Sequence, residues 1–482
     1  MASLPQKHDP ASTSDGSWSL RMDPLVGLID MKLQELISDD HPRPSIWRVH
    51  PDLRKVEEEA YEPKLVSIGP LHHGKPRLLP MEQIKLTYLR GLLNRHQKNS
   101  LEYYVAVIRS CLPATKDQYS EKIELSDDEF VEMLVVDGCF IIEYLAKRAF
   151  RSTHETAVLA GVGWGFTHLR RDLLLLENQI PFLVLTELFN MTTIPFPGER
   201  KEPLNLMELV LKFLGIGMKP EEYPKPSDIF HLLHLEHWCQ NPGRVKEDTN
   251  RRSCGQLAMY PLKKSIDLIS VLFFGLLYLI FIRHWPGCFG PTKKSKAPRE
   301  IPCATELRAA GIKFKKKVAP QGKIASYLKV SFRDGALEIP FLSVDETTSP
   351  RLRNLIALEQ CCVDVGNHFT SYCAFVDNII NTAGDVAILR GRGILESKLG
   401  SDAEVADLFN SLCKGTHLKY DDHYNKEIFE EVVAFSEFAH NKWRASLVHN
   451  YFSNPWAMFS VFAGFLLIAL TAVQTYFAVF SR

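Results

Sequence analysis

A chain of 482 residues has room for one large domain or two to three ordinary ones. Apolar residues at 45% and charged residues at 24% are globular values, so a sizeable core can be buried. Lysine plus arginine equals aspartate plus glutamate, 57 each, which excludes a protein built along its whole length to hold nucleic acid or an anionic surface.

The first segment, "MASLPQKHDPASTSDGSWSL", has no apolar h-region, and Ala2 stands where myristoylation requires glycine. Rich in Ser, Asp and Pro, it reads as part of a disordered arm over residues 1–45. Helical signals then dominate a part running over 46–245. Pro80 opens a helix with Met81, Ile84, Tyr88 and Leu92 on one face. Ser126 and Glu129 form a capping box before "FVEMLVVDGCFIIEYL". "GVGWGF" lacks the spacing of a dinucleotide loop and reads as a turn.

"RDLLLLENQIPFLVLTELF" (171–189) sets four leucines directly against a polar triplet, with Pro181 behind it. A helix ending near Leu176 leaves carbonyls without partners, and one starting around Pro181 leaves amides without partners. Glu177, Asn178 and Gln179 carry the groups such a corner needs. A catalytic alternative draws Asp172, Glu177 and His72-His73 together, because carboxylates among leucines have raised pKa values. "HLLHLEH" places His231, His234 and His237 within a third of a helical turn, a weak metal candidate.

A linker, 246–300, follows with an apolar run at 268–282, below the usual length of a membrane span but within reach of a tilted or thinned one. The basic clusters "PTKKSKAPRE" and "KFKKK" behind it read as solvated linker, with nucleic acid or anionic lipid as the alternative. Within the next part, 301–450, Asp334-Gly335 centres a hairpin over 327–342. Folding there pairs Phe332 with Leu337, Val330 with Ile339 and Leu328 with Phe341. Ser349-Pro350 opens a further helix, and Ser401 with Glu404 repeats the capping box. Ten cysteines are scattered without a CxxC pair, which suits reduced, buried thiols. "WAMFSVFAGFLLIALTAVQTYFAVF" carries no charge over about 25 residues, which predicts a transmembrane helix at 455–480 with Trp456 and Tyr476 at the interfaces.

Six stretches together resemble one family. They are "IWRVHPDLRKVEEEAYEPKLVSIGPLHHGKPRLLPMEQIK", "RDLLLLENQIPFLVL", "IPCATELRAAGIKFKK", "RLRNLIALEQC", "GSDAEVADLFNSLC" and "YFSNPWA". In that order they resemble the plant domain-of-unknown-function 247 (UPF0481) proteins, with Glu177, Asn178, Gln179 and Pro181 as a structural signature. The resemblance implies a mainly helical plant protein ending in a single membrane anchor. No reaction is established for the family as a whole, and some grass members are linked to self-incompatibility, a recognition role. In relatives the stretch holding 268–282 is a polar, variable linker, so the run reads here as an interfacial or buried segment or a gene-model artefact.

The expectation is thus a mainly α protein: a helical body with a small β-hairpin and a C-terminal transmembrane helix. It acts as a protein-interaction or signalling module, with an enzyme using Asp172, Glu177 and His72/His73 as the alternative. No cofactor, small-molecule substrate or nucleic acid is expected. Lipid through the tail helix and an unidentified protein are the partners. The location is a plasma or internal membrane with the body in the cytosol. A glycosylation sequon at Asn190-Met191-Thr192 marks the opposite topology, a recognition ectodomain.

Overall fold

The computed structural model describes residues 24–36, 43–95, 100–150, 165–192, 194, 205–242, 298–318 and 326–437, with scattered positions between 463 and 478. The chain forms two units, residues 1–43 and 44–482. The first contains helix α1 (Pro24–Leu36), which lies within the stretch read as the N-terminal arm. The apolar run 268–282, Trp456 and Tyr476 lie outside the described residues.

The second unit carries the core. After a short turn α2 (Pro51–Arg54) come α3 (Pro80–Arg95), α4 (Leu101–Ser110), α5 (Leu112–Lys116) and the long α6 (Asp127–Phe150). The capping box at the head of α6 forms: the Ser126 amide donates to Glu129 Oε2 at 2.9 Å, and the Glu129 amide returns to Ser126 Oγ at 3.3 Å. Helices α3 and α6 pack through Tyr88 and Phe140, edge to face with ring centroids 5.2 Å apart. The same two helices are also joined by a buried ion pair, Lys85 with Asp137 at 2.6 Å. Helices α7 (Gly165–Asp172), α8 (Phe182–Asn190), α9 (Leu206–Leu214) and α10 (Leu232–Gln240) complete this half. Asn205 caps α9, and Gly215 ends it in the left-handed conformation, φ 70°.

The second half runs α11 (Ala304–Ala309), α12 (Thr348–Cys361), α13 (His368–Ile379), α14 (Ala383–Gly391), α15 (Asp402–Leu412) and α16 (Lys426–Glu437). Between α11 and α12 lie β1 (Lys313–Lys317), β2 (Ser331–Arg333), β3 (Ala336–Pro340) and β4 (Leu342–Val344). Strands β2 and β3 are the hairpin. Asp334 and Gly335 take φ 54° and 69° at its turn, and Phe332 faces Leu337. Phe341, expected on the sticky face, is 38% exposed. The lysine-rich "KFKKK" is strand β1, not linker, and pairs parallel to β3 in the order β1-β3-β2. The sequence conceals this because Phe314 is its lone apolar residue, and that single ring, 4% exposed, anchors the strand. Strand β5 (Leu395–Ser397) pairs parallel to β4.

The expected transmembrane helix is overturned. Among the described residues no helix is long and apolar enough to cross a membrane. Spanning a bilayer takes roughly 20 continuous apolar residues of helix. Helix α6 has the length at 24 residues but carries charges at both ends and at Asp137 and Glu143 within. The architecture is mainly helical with a few small strands. The lipid partner and the membrane location inferred from a tail helix fall with that helix.

Candidate functional site

Helix α7 stops at Asp172, four residues before the expected Leu176. Leu173 to Leu176 instead form buried turns, with the Leu174 amide donating to the Arg171 carbonyl and the Asn178 amide to that of Leu175. Pro181 caps α8 from an extended conformation, φ −56° and ψ 140°. Its ring cannot donate a hydrogen bond, which costs nothing at a helix start.

Asp172, Glu177 and Asn178 of this corner reach out to a distant segment, 46–72, while Gln179 ties the corner to itself. Asp172 accepts three backbone amides: Lys64 at 3.0 Å, Leu65 at 2.6 Å and Val66 at 3.0 Å. Asn178 takes the Ile68 amide at 2.8 Å and donates to the carbonyls of Val66 and Asp172. Gln179 donates to the carbonyls of Leu173 and Leu175, both at 2.8 Å. Asp172 and Asn178 together do for residues 64–68 what a neighbouring strand does in a sheet. Gly69 follows at φ 74°, and a Cβ there would stand 2.3 Å from the Gln179 carbonyl oxygen, so only glycine fits. The far half joins through Asn354 of α12, whose Oδ1 accepts the Leu176 amide at 2.8 Å and whose Nδ2 donates to the Ala60 carbonyl at 2.9 Å.

Glu177 centres a charged cluster. Its Oε1 accepts the Val49 amide at 2.7 Å and Arg54 Nη2 at 2.6 Å, and its Oε2 lies 3.4 Å from His72 Nε2. His72 Nδ1 is 3.9 Å from Glu62 Oε2, and Glu62 itself takes Arg54 at 2.9 Å and Lys75 at 2.8 Å. Burial raises the Glu62 carboxyl, but Lys75, the nearby His72 and Arg54 more than reverse this and bring it down to about 2. Burial likewise works against Glu177, and His72, Arg54 and the Val49 amide hold it below its ordinary value. Asp172 differs. Burial pushes its carboxyl up, and the three amides and Arg171 pull it back without cancelling the rise.

The fold therefore brings together Glu177 and His72 from the expected set. Asp172 is committed to main-chain amides, and His73 is exposed. Sequence reading missed Arg54 and Glu62, which sit among the many charges of "DLRKVEEEAYEPK" with nothing to single them out. Both Glu177 and His72 are sealed, their side chains 0% exposed.

The three histidines of α10 go separate ways. His231 caps the helix, accepting the His234 amide at Nδ1 (3.2 Å), while Nε2 lies 3.2 Å from the Ser45 carbonyl. With Nδ1 accepting, the proton sits on Nε2, and burial lowers the imidazole pKa to about 4. His234 stacks on Phe230 and His237 lies 2.7 Å from Glu359. Among the described residues no three donors are placed to hold a metal ion. A cleft of about 560 Å³ opens elsewhere, between Arg299, Cys413, Thr416, Lys419 and Tyr420. Burial pushes the Cys413 thiol up to about 12, which suppresses the thiolate a nucleophile needs.

A mainly helical scaffold cross-tied by a buried polar corner is the class of protein this geometry defines. Residues 46–470 match the DUF247 family, described as plant protein of unknown function, and the chain belongs to it. It is similar to UPF0481 protein At3g47200 of Arabidopsis thaliana, 28% identical over 443 residues, covering 90% of this chain and 86% of that protein. It is also similar to the putative UPF0481 protein At3g02645 of Arabidopsis thaliana, 26% identical, with 91% and 90% covered. No solved structure matches the chain.

Proposed function

We propose that this protein works as a protein-binding module whose polar corner is a tie within the fold rather than a reaction centre. The observation that carries this is the commitment of Asp172, whose two carboxylate oxygens accept four bonds, from the amides of Lys64, Leu65 and Val66 and from the Arg171 guanidinium. A group so bound has no lone pair aimed at a substrate. The recognition role implied by the family resemblance agrees with it.

One observation favours the enzyme alternative: neither ring nitrogen of His72 completes a hydrogen bond, although Glu177 and Glu62 flank it. Against it, the cleft of about 560 Å³ is lined by neither His72 nor Glu177. The test is quantitative affinity capture from plant extract with the full chain, beside His72→Asn and Glu177→Gln variants that keep native melting. The module reading expects one stoichiometric partner, recovered equally with all three. Loss of that partner or of a cellular function in the folded variants, or recovery of no stoichiometric partner, overturns it.

A further inference from the structure

Strand β1 is an edge. Lys313, Lys315 and Lys317 share one face of its sheet, and the register places Ser331, Arg333 and Glu338 on that face too. Lys313, Lys315 and Arg333 are exposed there. Glu338, the lone acid of the face, is shared with Ser331 at 3.4 Å, and Ser331 also accepts from Lys317 at 3.0 Å. The opposite face carries apolar surface at the same edge. Lys316 lies 4.1 Å over the Phe341 ring, and Val318, just past the strand, is 83% exposed.

The backbone adds a second observation. The Lys313 amide donates to the Gly335 carbonyl at 2.9 Å, which turns the main-chain groups of Lys313 toward β3. Alternation then turns those of Phe314 and Lys316 away from the sheet. Among the described residues no strand pairs with that side of β1. Edge lysines ordinarily prevent pairing with a neutral or basic strand. The same lysines leave the edge open to an acidic one.

We propose that the outer edge of β1 docks an extended acidic segment of a partner protein, which adds as a fourth strand. Side chains on one face of such a strand repeat at about 6.6 Å, the spacing of Lys313, Lys315 and Lys317. Acidic residues at alternate positions then face the three lysines, and apolar residues between them cover Phe341 and Val318. A lipid surface or a nucleic acid could meet the lysines but has no use for the main-chain groups of Phe314 and Lys316. The proposal rests on the protein-binding reading and names its partner class.

The test is fluorescence anisotropy of the full chain with a labelled peptide of alternating glutamate and valine. Three probes accompany it: a block isomer with all glutamates first, a backbone N-methylated version, and phosphatidylserine vesicles. The alternating peptide is expected to bind saturably, and the block and N-methylated peptides about tenfold more weakly. Lys313→Gln with Lys315→Gln is expected to weaken binding about tenfold, as loss of two cross-strand charge pairs implies. Lys55→Gln, away from the sheet, leaves binding unchanged, and added salt weakens it in the unaltered chain. Equal binding by the block isomer, the N-methylated peptide or the vesicles reduces the edge to a non-specific cation patch and overturns the proposal. Absence of alternating-peptide binding also overturns it. If affinity capture still recovers a partner in that case, the binding-module reading survives; if capture fails too, both fall.

Discussion

The polar corner at 171–181 and the sheet edge at 313–317 are both short, charge-bearing stretches, and the fold treats their charge in opposite ways. At the corner Asp172 and Glu177 are sealed from water and each is held by groups from the segment 46–72. At the edge, Lys313, Lys315 and Lys316 stand in water around one buried ring, Phe314. A buried charge must be matched by fixed dipoles or counter-charges, so it orders whatever surrounds it. An exposed charge in water orders little and remains available to a partner. The corner is thus suited to holding the fold together, and the edge to meeting something outside it.

The sharpest way to break this contrast is Asp172→Ala. It leaves the buried Val66 amide and the partly buried amides of Lys64 and Leu65 without their acceptor and strips the buried Arg171 of its carboxylate, and the expected loss is about 4 kcal/mol of stability in urea denaturation. A loss below about 1 kcal/mol, the scale of one ordinary hydrogen bond, contradicts the claim that the corner is a tie.

A somewhat smaller effect belongs to His231, buried beside Ser45. Its folded pKa of about 4 lies below the ordinary 6.5, so the unfolded chain takes up the proton first. Stability from this group is complete above pH 6.5 and drains away as pH falls toward 4, by about 3 kcal/mol in all. His231→Asn keeps a capping acceptor and cannot titrate. Denaturation midpoints of parent and variant should therefore converge as pH drops through that window. Parallel curves would mean that His231 is already accessible to protons.

The smallest effect is expected at the edge. Lys313→Gln with Lys315→Gln should leave stability within about 0.5 kcal/mol, because both side chains are exposed. A larger destabilisation would assign those lysines to the fold and blunt the contrast with Asp172.

Several features of the fold were legible from the chain alone. The capping box of Ser126 and Glu129, the turn at Asp334-Gly335 with Phe332 facing Leu337, and the restart of a helix behind Pro181 are all local. Strand β1 was not legible, since its periodicity is carried by one phenylalanine among lysines. The apolar tail misled as well: its hydropathy predicts a span, yet among the described residues no helix is long and apolar enough to cross a bilayer. At the candidate site, the polar character of Glu177, Asn178 and Gln179 was visible, but Arg54 and Glu62 were hidden in a run of ordinary charges.

What the sequence determined by itself is what neighbours within a few residues can decide: caps, turns, the break at Pro181 and membership of a family with a recognisable "LENQIPF". Tertiary structure decided which of those charges would be enclosed. Asp172 meets its three amides across more than 100 residues of chain, and the Leu176 amide meets Asn354 across 178. Such bonds form only once the core has excluded water from both ends, because a carboxylate in water has no reason to prefer one distant amide over another.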